Sequence, residues 1–219
     1  MTGSFVAAPE RRSRMFDRFK RGFDLAAGLS ALLLSLPIQL AVAAAVAARL
    51  GRPVLFRQAR PGLDGRPFEL IKFRTMHPVD PARGRLDDES RLTRFGVLLR
   101  STSLDELPTL WNVVRGDMSL VGPRPLLMEY LGRYSAEQAR RHEVRPGLTG
   151  LAQVCGRNTL SWSDRLRLDV EYVDGRSLAL DLGILLLTVR SVLRREGINR
   201  DGHVTMPEFT GRETSNGAA

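Results

Sequence analysis

From Phe23 to Leu50 the chain reads FDLAAGLSALLLSLPIQLAVAAAVAARL, with Asp24 near its start and no further charge until Arg49. A helix of this length can cross a bilayer, which needs roughly 20 apolar residues. Ala and Leu run round every face, which disfavours the single apolar stripe of a soluble-core helix. A cleaved leader is disfavoured as well, because the stretch is long and runs on into a folded domain. Pro37 lies in the middle, after Ser35 and Leu36. It removes one helical hydrogen bond and kinks or breaks a helix there. Both flanks are basic: Arg11, Arg12, Arg14, Arg18, Lys20 and Arg21 before, then Arg52, Arg57 and Arg60 after. The positive-inside rule keeps both flanks cytoplasmic, which favours a helix that enters, bends at Pro37 and returns. Ser35 is a local partner for backbone freed at the bend. A spanning helix that tolerates its proline remains the alternative.

Charge narrows the class of partner. The chain of 219 residues carries a formal net charge of +9, which favours an anionic partner: nucleic acid, a membrane surface or a phosphorylated substrate. Nearly all of that charge is Arg; Lys20 and Lys72 are the lysines. Such a bias follows from base composition alone, so no arginine is singled out merely for being one. One cysteine, Cys155, excludes an intrachain disulfide framework and a cysteine zinc cluster. It reads as a small packing residue. His77, His142 and His203 are too scattered to suggest a histidine metal site.

Beyond the apolar stretch, PVLFRQARPGLDGRPFELIKFRTM (53–76) predicts two short strands joined by Pro61-Gly62-Leu63-Asp64-Gly65. Lys72 and Arg74 alternate with Ile71 and Phe73, which places both cations on one strand face. That face could meet phosphates or headgroups, or simply be solvated. His77 to Arg91 reads as a surface loop. Short helices are expected over 91–99 and 107–114, an amphipathic helix over 128–142, a strand over 151–154 and helices over 162–173 and 178–193. The last holds Asp181 and Arg190, too short and too charged to span comfortably. Beyond Gly197 the tail is polar and loosely ordered in expectation.

The chemistry concentrates in RSTSLDELPTLWNVVRGDMSLVGPRP (100–125). Asp105 and Glu106 are adjacent carboxylates, with Arg100, Arg115 and Arg124 around them. An acid can hold Mg²⁺ or attack phosphorus, and a guanidinium clamps phosphate oxygens. A structural role competes: Asp105 capping the next helix, or Ser103 and Glu106 forming a capping box. Two prolines, Pro123 and Pro125, fix the backbone around Arg124. Arg145 stands in a second rigid turn, RPGLTG (145–150), and Arg157 in GRN (156–158).

KFRTM (72–76), LRSTSLDELPTLWNVVRGDMSLVGPRPLL (99–127), RPGLTGLAQV (145–154) and the Leu178 helix follow one another in an order that resembles the bacterial sugar transferase family. These are small monotopic polyprenyl-phosphate phosphoglycosyl transferases. The resemblance covers about residues 21–197. It is similar to the minimal catalytic unit, without the extra N-terminal membrane helices of larger members. It implies transfer of a sugar 1-phosphate from a nucleotide sugar, usually a UDP-sugar, to undecaprenyl phosphate, with Mg²⁺ required. By the same resemblance Asp105 is the nucleophile and Glu106 supports metal binding, so both acids belong to the metal site. Arg100 contacts phosphate, Pro123-Arg124-Pro125 bind the nucleotide sugar, and Arg145 and Arg157 are weaker carry-overs. The family's membrane segment is re-entrant and broken at a Ser-Pro pair, here interrupted as Ser35-Leu36-Pro37.

The expected fold is α+β and mostly α-helical. A basic segment (1–21) leads into a re-entrant membrane helix (22–50). A compact catalytic domain (51–197) follows, with a short β-hairpin and amphipathic interfacial helices, then a polar tail (198–219). Partners are a nucleotide-sugar donor, undecaprenyl phosphate and membrane lipid, at the cytoplasmic face of a bacterial inner membrane. Sugar and oligomeric state, a homodimer included, stay open. The competing class is a membrane-attached polyanion-binding protein without catalysis. Few aromatics and no recognisable nucleic-acid motif count against nucleic acid.

Overall fold

The computed structural model describes residues 9–156, 160–194 and 208–211. Its first element, α1 (Pro9–Leu50), takes in both the basic lead-in and the apolar stretch as one helix with Pro37 inside it. The two half-helices anticipated from the proline are thus one element. A single missing N–H costs one hydrogen bond, and the polar groups beside it are occupied. The Ser35 hydroxyl donates to the Ala31 carbonyl at 2.6 Å and accepts from Gln39 Nε2 at 2.9 Å. Met15–Leu50 is long and apolar enough to cross a membrane by length and composition.

Two separate stretches of α1 pack on the same body. In the first, at the start of the apolar stretch, Asp24 is buried and accepts the Leu120 N–H, and Arg21 donates to the carbonyls of Val113 and Val114. Near its end, Val42, Val46 and Leu50 pack on Phe73 and Leu99. Between these two anchorages Leu33, Leu34, Leu36 and Leu40 are exposed, Leu34 to 80 %.

β1 (Leu55–Pro61) and β2 (Pro67–Phe73) form the anticipated antiparallel hairpin, Leu55 opposite Phe73 and Pro61 opposite Pro67. Next come α2 (Asp88–Arg91) and α3 (Arg94–Ser101), a 3₁₀ segment over Leu104–Thr109, and α4 (Leu110–Arg115). β3 (Ser119–Val121) pairs in parallel with β4 (Gly147–Thr149). The expected amphipathic helix over 128–142 is instead three short pieces: a 3₁₀ segment (Met128–Arg133), α5 (Ala136–Ala139) and a 3₁₀ turn (Arg140–His142). Ser135 explains the break, because it forms a capping box with Gln138 and so starts a new helix. The strand expected at 151–154 is α6 (Leu151–Cys155); the pairing belongs to β4 just before it. α7 (Trp162–Gly175) and α8 (Leu178–Arg194) match the expected helices.

The main core joins Leu70, Leu110, Val113, Leu120, Tyr172 and Ile184, with Phe23 and Ala27 of α1 against it. Asp181 of α8 is buried there, held by Lys20 at 2.6 Å and by the Tyr172 hydroxyl at 2.8 Å. Its charge therefore serves to latch α8 to α1. Within the tail, Phe209 is buried against Tyr130, Tyr134 and Trp162, so residues 208–211 depart from the loosely ordered end expected beyond Gly197, the rest of which lies outside the described residues. Cys155 is exposed, so it is no packing residue.

Candidate active site

The edge of β2 carries the first half of the site. In a two-stranded ribbon one edge of each strand lacks a backbone partner. Side chains from the following helical segment fill that edge here. Asn112 is fully buried; its Oδ1 accepts the Ile71 N–H and its Nδ2 donates to the Glu69 carbonyl. Thr109 donates its hydroxyl to the Ile71 carbonyl at 2.8 Å. These bonds fix β2 against 104–115 and so set Lys72 opposite Glu106.

Ser103 turns the chain into the 3₁₀ segment with a left-handed φ of 55°. No side chain caps this segment, so neither the Asp105 cap nor the Ser103–Glu106 capping box is present. Glu106 Oε1 instead accepts from Lys72 Nζ at 2.6 Å and from Arg124 Nη2 at 2.8 Å. The two cations hold its carboxyl far below the usual range, overcoming burial. Asp105 is the contrast. Its side chain is buried, and among the described residues no donor hydrogen-bonds it. Burial, and then the Glu106 charge, push its pKa up to about 6 against the pull of Lys72, Arg100 and Arg124. Two adjacent acids thus have opposite characters, one tied down as a permanent anion and one unencumbered.

Arg124 is positioned by a turn pressed from both sides. Gly122 donates to the Thr149 carbonyl and Gly147 to the Pro123 carbonyl, both at 2.9 Å. The two turns approach so closely that a Cβ on Gly147 would lie 2.1 Å from the Gly122 nitrogen. Only glycine permits that contact. Arg141 completes the frame. Its buried guanidinium donates to the Arg124 carbonyl at 2.7 Å and to Asp169 Oδ2 through Nε at 3.0 Å and Nη2 at 2.7 Å.

Asp105, Glu106, Lys72, Arg100 and Arg124 line one open cleft of about 1940 Å³. Arg100 Nε donates to Thr75 Oγ1 at 3.1 Å, beside Asp105. Of the other expected cations, Arg74 lies at the mouth but gives its guanidinium to the Leu50 and Gly51 carbonyls, at the end of α1. A cation at a helix C-terminus is well placed for that. Arg145 is taken by the Gly116 carbonyl at 2.9 Å and does not line the cleft. Arg115 pairs with Asp117 on the surface. Arg157 lies outside the described residues.

The bacterial sugar transferase profile matches residues 15–195. The chain belongs to the bacterial sugar transferase family. This sugar transferase is 55% identical to the uncharacterized sugar transferase EpsL of Bacillus subtilis, over 88% of its own length and 96% of EpsL. It is 42% identical to the UDP-galactose-lipid carrier transferase of Erwinia amylovora, over 81% of its own length but 41% of that protein. It is 44% identical to the UDP-glucose:undecaprenyl-phosphate glucose-1-phosphate transferase of Caulobacter vibrioides, over 81% of its length and 70% of the relative.

Sequence reasoning overlooked several groups in this sugar transferase. Arg60 and Arg165 line the cleft, Thr75 holds Arg100, and Thr109, Asn112, Arg141 and Asp169 hold the frame. Arg60 was within reach, since period-two alternation puts it on the β1 face that Phe56 and Gln58 share. No local signal marks Arg141 or Asp169, whose contact spans 28 positions.

Proposed function

We propose that this protein transfers a sugar 1-phosphate from a UDP-sugar to undecaprenyl phosphate, through an aspartyl phosphosugar on Asp105. The observation that carries the reading is the unencumbered, buried Asp105 carboxylate beside a Glu106 held by two cations. A carboxylate oxygen of Asp105 attacks the sugar-bearing phosphorus. The bond to the inner phosphate breaks, and UMP leaves with that bond's electrons. An oxygen of the lipid phosphate then attacks the same phosphorus. The Asp105–phosphorus bond breaks, releasing the polyprenyl diphosphate sugar and the free carboxylate. Lys72, Arg100 and Arg124 orient the phosphates and offset charge in a site where chemistry is mainly positioning. The name of the Caulobacter relative supports donor and acceptor; the Erwinia name leaves galactose beside glucose as the sugar.

Mg²⁺ fits the donor set. Among the described residues no three acidic or imidazole groups converge on one point. Mg²⁺ characteristically takes one or two carboxylates and completes its shell with water and substrate phosphates. Asp105, with Glu106 behind it, would hold the ion, which when bound supplies neutralisation of the diphosphate charge.

Membrane placement follows the same logic. Both anchorages of α1 lie on one catalytic body while its middle leucines are bare. This supports a helix that enters one leaflet of the bacterial inner membrane, bends at Pro37 and returns to the cytoplasmic face. The test is UMP release from purified protein in detergent with undecaprenyl phosphate, Mg²⁺ and a panel of UDP-sugars. Release that needs one UDP-sugar and stops with EDTA is expected. Folded protein that releases no UMP with any of them overturns the reading.

A further inference from the structure

The cleft has two ends. One reaches Ala47 and Pro53 beside the last turns of α1. The other holds Arg60, Arg165, Tyr130 and Trp162. β1 runs between them. Leu55 packs with the end of α1, and Arg60 is five residues farther on, roughly 16 Å at about 3.3 Å per residue. Phe56, Gln58 and Arg60 share a strand face with their partners Lys72, Leu70 and Phe68. Lys72 and Arg60 thus stand on one wall, at different depths.

Arg60 is half-buried, its Nη2 donates to the neutral Gln58 Oε1 at 2.6 Å, and its buried Nε has no hydrogen-bond partner among the described residues. Arg124 is close enough to lower the pKa of both Arg60 and Arg165 by repulsion, after burial. Arg165 lies 5.4 Å from the Trp162 ring centroid. Glu106 answers Lys72 and Arg124, and Asp169 is bonded to Arg141. A half-buried guanidinium whose buried Nε is unused among the described residues, next to a second guanidinium, offers a site for an anion.

We propose that Arg60, with Arg165, binds the phosphate of the donor nucleotide, at the end of the cleft remote from α1. The acceptor phosphate has the same chemistry but arrives on a lipid, and the lipid enters where the cleft meets α1. Glu106, held by Lys72 opposite Phe56, lies nearer the Leu55 end of β1 than Arg60 does, so donor and acceptor reach Asp105 from different sides. This rests on the transfer reaction proposed above.

The test compares Arg60→Gln, Arg60→Lys and the surface control Arg167→Gln with wild type. UDP is the binding probe by titration calorimetry with Mg²⁺, and donor and acceptor KM are measured separately. Arg60→Gln is expected to weaken UDP at least tenfold and to raise donor KM alike, with kcat and acceptor KM unmoved. Arg60→Lys keeps the charge without the fork and should fall between. Arg167→Gln should match wild type. Melting curves establish that each variant is folded, and Arg60→Lys carries the comparison should Arg60→Gln not fold. Unchanged UDP affinity in both Arg60 variants overturns the inference alone, as does a rise confined to acceptor KM. A wild type that binds UDP neither directly nor in turnover overturns the transfer reading, and the inference with it.

Discussion

At the residue scale the protein rests on the difference between two neighbouring carboxylates. Asp105→Asn removes the attacking oxygen and should lower UMP release at least ~10³-fold. It should also stabilise the fold. The raised pKa of Asp105 means that its charge opposes folding, a penalty absent below about 3.8 and full above about 6. Removing it should add on the order of 1–3 kcal/mol at pH 7.5 and little at pH 4, read by denaturant unfolding. Activity carries the opposite sign, because the nucleophile must be ionised. Adduct formation from the UDP-sugar should decline on acidification as Asp105 protonates, with bound Mg²⁺ moving that decline to lower pH. Glu106→Gln removes the repelling charge and frees Lys72 and Arg124 toward Asp105. Its acid limb should therefore move to lower pH, while the loosened cations cost about 10²-fold in rate.

At the scale of elements, the Arg124 turn stands on a buried ion pair. Arg141→Met takes from the buried Asp169 the guanidinium bonded to it, and should cost about 3–5 kcal/mol in unfolding experiments. Adding Asp169→Leu should restore most of the stability but not the donor KM, because the Arg124 carbonyl still lacks its donor. Recovery of both would make the pair a packing feature only. The same residues show why part of the architecture was legible and part was not. Period-two alternation in LFRQARP and PFELIKF, with a Gly-rich turn between, identifies the hairpin, and the acidic pair with Pro123-Arg124-Pro125 marks the site. The Met128–His142 segment carries a helical pattern, yet Ser135 bonds its own downstream backbone and starts anew. Arg145 and Arg124 look alike in sequence, each beside a proline in a rigid turn. Long-range packing decides between them, sending one to the Gly116 carbonyl and the other to Glu106.

For the molecule as a whole, the bare middle of α1 and the net charge of +9 act together on a membrane. Attachment by charge alone fails in strong salt, where screening shortens to about 3 Å at 1 M. This protein should stay with the membrane through 1 M salt and alkaline carbonate and come off only in detergent. The path of α1 is read by cysteine labelling after Cys155→Ser, needed because Cys155 is exposed. Met15→Cys and Arg52→Cys should both react with an impermeant reagent in inverted vesicles and neither in right-side-out cells. One site on each side would make α1 a spanning helix.

The covalent step is most directly tested by intact-mass spectrometry of the purified protein mixed with Mg²⁺ and the active UDP-sugar, without acceptor lipid. The expected spectrum gains one sugar phosphate, maps it by peptide fragmentation to Asp105, loses it when undecaprenyl phosphate is added, and never shows it in Asp105→Asn. A protein that turns over with no adduct on rapid quenching, or an adduct that persists in Asp105→Asn, removes Asp105 as the group that carries the sugar phosphate.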